Sequence, residues 1–129
     1  MQLKNSLHLA AVAVLVAALI PAVRAQGEMP REMHERARWL TDRTTEDLQR
    51  FVHRDNLDPQ DRQRLDAALH DLHAFRENVG PGHFDREVLT RAIDNIEAVA
   101  NHASLGEHER TTLHEDIHRL RDLRDHWHE

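Results

Sequence analysis

The residues of this chain best suited to chemistry are histidines and carboxylates spaced along two helix-like segments. At about 100° per residue, Asp66, His70, His73 and Glu77 fall on one lateral strip. A second strip carries His114, His118, Arg121 and Asp125, with Asp122 and His126 just beyond, and His114, His118 and Asp122 are its candidate ligands. Imidazoles at i,i+3 or i,i+4 place two ring nitrogens where one divalent ion can bridge a helical turn. Neighbouring carboxylates add oxygen donors, and Zn²⁺, Cu²⁺ or Ni²⁺ suits that set. The spacing is only partly specific. No H-E-x-x-H occurs, and Glu115-x-x-His118 has no second copy, so neither a zincin nor a paired-carboxylate di-iron centre is implied. For any one pair, solvated positions where His and acids alternate with Arg are the simpler account.

Histidine is nonetheless in excess, with 12 in 129 residues. A third role is a response to pH, because imidazoles change charge between about pH 7 and 5. Covalent catalysis has little material. The chain has no Cys and no Tyr. Ser104, the one serine beyond the N-terminal region, reads as a turn or cap residue. No Gly-rich phosphate cradle is present. The carboxylates, though numerous, can all be placed on helix surfaces.

The elements carrying these side chains can be read from apolar spacing. A first helix is expected from about Pro30 to His53, with Met33, Ala37, Leu40, Thr44, Leu48 and Phe51 on its inner stripe. Thr44-Thr45-Glu46-Asp47 also resembles a helix start, so a break near Thr41 to Thr45 is an open alternative. Trp39 lies almost opposite the stripe and should face outward as an anchor for a partner, unless such a bend or the Gln26 to Pro30 tail covers it. Asp58 as N-cap and Pro59 at the first position open a second helix. Its stripe is Leu65, Ala68, Leu69, Leu72, Phe75 and Val79, and Gly80-Pro81-Gly82 stops it. Asp85 caps a third helix bearing Val88, Ala92, Ile96, Val99 and Ala103, widened by Leu89 and Ile93. A fourth carries Leu113, Ile117, Leu120, Leu123 and Trp127.

Leu57–Val79 and Leu105–Trp127 align at an offset of 48 residues with Leu57/Leu105, Arg62/Arg110, Leu65/Leu113, His70/His118, Leu72/Leu120 and Arg76/Arg124 identical. Arg38/Arg86 and Arg43/Arg91 extend the match. The expected unit is therefore an αα-hairpin present twice, at about 33–80 and 81–128. The expected fold is all-α: an antiparallel four-helix bundle made of the two hairpins.

Residues 1–25 read as a cleaved signal peptide. Lys4 precedes the apolar run Leu9 to Ile20, and Val23-Arg24-Ala25 places small residues at −3 and −1 of a cut before Gln26. The run is well short of the roughly 20 residues of a spanning helix, so no membrane insertion is expected after cleavage. Residues 26–129 would then form a single helical domain in the periplasm or secreted from a bacterium. Losing Lys4 and Arg24 shifts the net charge from −6 to −8, a balance that disfavours nucleic acid. Protonating the eleven histidines left after cleavage would carry that charge to +3.

The expected role is a non-enzymatic exported bundle acting through contacts with an unidentified protein in the envelope. The alternative is a His-rich periplasmic protein that binds or buffers Zn, Cu or Ni.

Overall fold

In a computed structural model the described residues are 31–80, 82–102 and 104–127, and those from Met33 onward belong to one compact unit. The expected signal peptide lies outside the described residues. Helix α1 spans 31–52, α2 Pro59–Asn78, α3 Arg86–His102 and α4 Glu107–Asp125. Among the described residues the only β-type pairing is an isolated bridge between Gly80 and His83. None of these helices is long and apolar enough to cross a membrane.

Local chemistry sets the boundaries. The Asp58 carboxylate accepts from the Gln60 amide at 2.9 Å, and Pro59 follows in the first turn, where its missing N–H costs nothing. Asp85 accepts from the Val88 amide at 3.1 Å and starts α3. Between them α2 ends at Asn78, and Gly82 turns the chain at a φ of 70°, a value few side chains tolerate. α1 runs unbroken through 41–45. Thr41 and Thr45 hydroxyls donate to the carbonyls four residues back, at 2.6 and 2.8 Å, so they are satisfied inside the helix rather than starting one.

The four inner faces meet in one core that includes Leu48, Leu65, Leu72, Phe75, Ile93, Ile96, Leu113 and Leu120. Met33, Leu69 and Val88 are only half-buried, and the α3 face is turned toward Leu89, Ile93 and Ala100. Ala103 lies outside the described residues. α4 stops at Asp125, so Trp127 sits beyond the helix, yet it is buried. Phe84 stacks on it at 4.4 Å, Phe75 meets Phe84 edge-on at 5.2 Å, and His34 lies 5.3 Å from Trp127. These rings close one end of the bundle.

Arg–carboxylate pairs fasten every neighbouring pair of helices. Arg76 of α2 holds Asp42 of α1 at 2.5 and 3.2 Å, and Arg91 of α3 reaches Asp71 of α2 at 3.4 Å. Arg121 of α4 binds Glu97 of α3, and Arg54, just after α1, binds Glu109 of α4. With Arg62 also donating to the Arg54 carbonyl and Arg124 to the Thr90 hydroxyl, the partners 76/42 and 62/54, and 121/97 and 124/90, run in opposite directions, so α1 and α2, and α3 and α4, are antiparallel. Such partly exposed pairs stabilise by about 0–1 kcal/mol each; their larger effect is to fix register.

The 48-residue repeat is not established by this architecture. Arg76–Asp42 has a counterpart in Arg124–Thr90 at 3.4 Å. Matching burial, however, is what any two amphipathic helices of one bundle share. At the position matching Ala68 the second half buries Asp116 instead.

Candidate functional site

The histidine strips lie on the outside. Asp66, His70, His73 and Glu77 are all exposed, as are His114 and His118, while Asp122 is half-buried. The structure brings together one pair: His118 Nε2 lies 3.5 Å from Asp122 Oδ2. His114 and His118 also line one open hollow of about 460 Å³ with Thr111, Glu115 and Arg119. Asp66 borders a different hollow, with His53 and Asp55, and Glu77 is drawn to Arg76 at 3.6 Å. Among the described residues no group of three or more His, Asp or Glu side chains is placed to hold one metal ion.

Trp39 is 55% exposed, the only large hydrophobic side chain so exposed among the described residues. The Arg43 guanidinium, one turn on, lies 5.4 Å from its ring centre. That contact orders the ring by cation–π attraction without covering it. α1 positions it by arithmetic: Ala37, Leu40 and Thr44 take the inner face, and residue 39 is carried around to the solvent side.

The placement of all carboxylates on the surface is overturned. Asp47 on α1 and Asp116 on α4 are 8% and 2% exposed, and Asp61 on α2 is also buried. Asp61 is held by Arg64 at 3.3 Å. Asp47 and Asp116 face one another across the α1–α4 seam, each with a cation on its outer edge. Arg50 lies 3.6 Å from Asp47, and Arg119 lies 3.7 Å from Asp116 Oδ1. Asp116 Oδ2 has no hydrogen-bond donor. Two ionised carboxylates can only accept, so their contact becomes a hydrogen bond when one of them carries a proton.

The Asp116 carboxyl is accordingly pushed up to about 7. Burial is the largest cause, followed by the hydrogen bond to Asp47 and its negative charge; Arg119 and Arg43 act in the opposite direction. The signal was available in the spacing. Asp116 stands at i+3 from Leu113 and i−4 from Leu120, inside the α4 stripe, and Asp47 immediately precedes buried Leu48. Residue type alone assigns an acid to solvent, whereas position on the apolar stripe turns these two inward.

A hollow of about 230 Å³ in the seam is lined by Met33, Arg36, Asp122, Leu123 and His126. Its walls mix apolar and charged groups and hold no nucleophile. Fold and surface together define a small all-α bundle with an outward tryptophan and an internal acid pair. No family model, no curated protein and no solved structure matches this chain.

Proposed function

We propose that this is a non-enzymatic, exported helical-bundle protein that works by contact with another protein in the bacterial envelope. The observation carrying the reading is the exposed Trp39, while every other large apolar side chain among the described residues is buried or half-buried. Burying an indole yields about 1.5–3 kcal/mol or more, and aromatic side chains of this kind are the usual centres of interface energy. Export rests on the reading of residues 1–25. The nearby charges give the contact direction and reversibility rather than strength.

The test is Trp39→Ala. Capture of the partner should fall at least about tenfold, while stability to urea should change by no more than about 0.5 kcal/mol, as for other surface substitutions. A large loss of stability with capture intact would overturn the proposal.

A second reading, divalent-metal binding, is favoured by the His118–Asp122 approach and by the hollow that His114 shares with His118. Two imidazoles and one carboxylate on a solvated helix make a weak site, so Zn²⁺, Cu²⁺ and Ni²⁺ should bind only near millimolar concentration. Calorimetric titration checks this. A micromolar site lost in His114→Ala with His118→Ala, or in His70→Ala with His73→Ala, would make metal handling the better account.

A further inference from the structure

Two buried side-chain oxygens among the described residues lack a donor, Glu109 Oε2 and Asp116 Oδ2, and both lie on α4. They are two turns apart, so they share one face of the helix, and that face meets α1. Arg54, just after α1, donates to the other oxygen of Glu109, and Asp47 of α1 lies against Asp116. The other interior faces are different. α3 buries only apolar side chains, and the one acid buried on α2, Asp61, is held by Arg64 at 3.3 Å. The cations near the acid pair stand at its edges. On α1, Arg50 lies 3.6 Å from Asp47, and Arg43 also acts on Asp116. On α4, Arg119 lies 3.7 Å from Asp116 but is shared with Glu115 at 3.6 Å. Arg50 and Arg119 both reach solvent, which screens them.

We propose that the α1–α4 seam is a proton-operated latch: one proton shared by Asp47 and Asp116 closes it, and loss of that proton lets α1 part from α4 while α2, α3 and α4 stay folded. With the proton in place, the contact is a hydrogen bond that joins the two helices. Without it, two like charges are pressed together out of water. Linkage fixes the sign and the size. Once α1 lifts, water reaches both carboxylates, and an aspartate there titrates near 3.9. In the closed seam the Asp116 carboxyl has been pushed up to about 7. The closed form therefore binds more protons, so the open population rises with pH between those values and levels off above about 7. From pH 5 to pH 8 the rise is on the order of a hundredfold. α1 turns about the connection 53–58, and a lone helix of its length is marginal in water, so its amides lose protection when it leaves α4. The latch is independent of whether Trp39 has a partner.

Amide hydrogen exchange of the full chain, followed by NMR from pH 5 to pH 8 and corrected for the intrinsic rise of exchange with pH, tests this. Protection of residues 44–51 of α1 should fall roughly a hundredfold across that range. At pH 8 it should lie at least about tenfold below that of Ile93 and Ile96 in α3, and low concentrations of urea should change it less steeply, because a partial opening exposes less surface than unfolding. Asp116→Asn should abolish the pH dependence, and Asp47→Asn should reduce it, with circular dichroism showing that each variant keeps its helices. Carboxyl-carbon shifts of the wild type give a second reading that needs no variant: the pair should still hold one proton at pH 6. Exchange of α1 in step with α3 at pH 8 would overturn the latch, since the only opening would then be global. A pH dependence unchanged in Asp116→Asn, or two carboxylates both ionised at pH 5, would overturn it as well.

Discussion

Asp116→Asn is expected to make the protein more stable at pH 8 and to leave it nearly unchanged at pH 4. An aspartate titrates near 3.9 in the unfolded chain, whereas the Asp116 carboxyl has been pushed up to about 7 by burial and by Asp47. Between those values the folded protein binds more protons than the unfolded one, so stability falls as pH rises through that window and is lowest above it. The full effect of ionising a group so shifted is on the order of 2–4 kcal/mol, a large part of the roughly 5–15 kcal/mol that holds a domain together. Asparagine keeps the size, donates a permanent hydrogen bond to Asp47 and carries no charge. Urea denaturation of both proteins at pH 4, 6 and 8 checks this. The quantity to compare is the difference between variant and wild type at each pH. A variant that is less stable at pH 8 would mean that Asp116 is held as a paired carboxylate by Arg119 and Arg43.

Trp127→Ala should have the opposite sign and a comparable size. Its indole is buried against Phe84 and lies beside His34, bringing the start of α1 to the end of α4 through the α2–α3 connection. Deleting a buried indole costs about 3–5 kcal/mol, part transfer and part cavity. The melting midpoint should fall by more than ten degrees for a chain of this size. A loss below about 1 kcal/mol, read from urea denaturation, would show that the bundle end is not closed by this ring. The contrast with Trp39→Ala is informative because the same atoms are removed in both. The chain contains only two tryptophans, one turned inward and one outward.

Most of the architecture was legible because it depends on local rules. Asp58, Pro59, Gly82 and Asp85 mark boundaries by their own backbone and side-chain chemistry. A 3.6-residue period separates Leu65, Leu72 and Phe75 from the exposed His70 and His73. The outward direction of Trp39 follows from the same period. What escaped depends on neighbours. Whether the α1 helix continues past Thr41 turns on hydroxyls bonding backward rather than forward. The end of α4 at Asp125 leaves Trp127 to be buried by Phe84, a residue in the α2–α3 connection. The burial of Asp47 and Asp116 follows from the closeness of α1 and α4, which no single-helix pattern contains. The histidine strips were visible as spacing, but spacing on an exposed face carries no information about a third ligand from another helix.

A Trp39 kept outward for contact with another protein is the core of the proposed function. Its most direct test is a photo-reactive amino acid placed at residue 39 of the full chain in living cells, with the same label at the exposed Gln63 of α2 as control. A discrete cross-linked protein adduct is expected from position 39 and none from position 63. No adduct from position 39, or the same adducts from both positions, would contradict it.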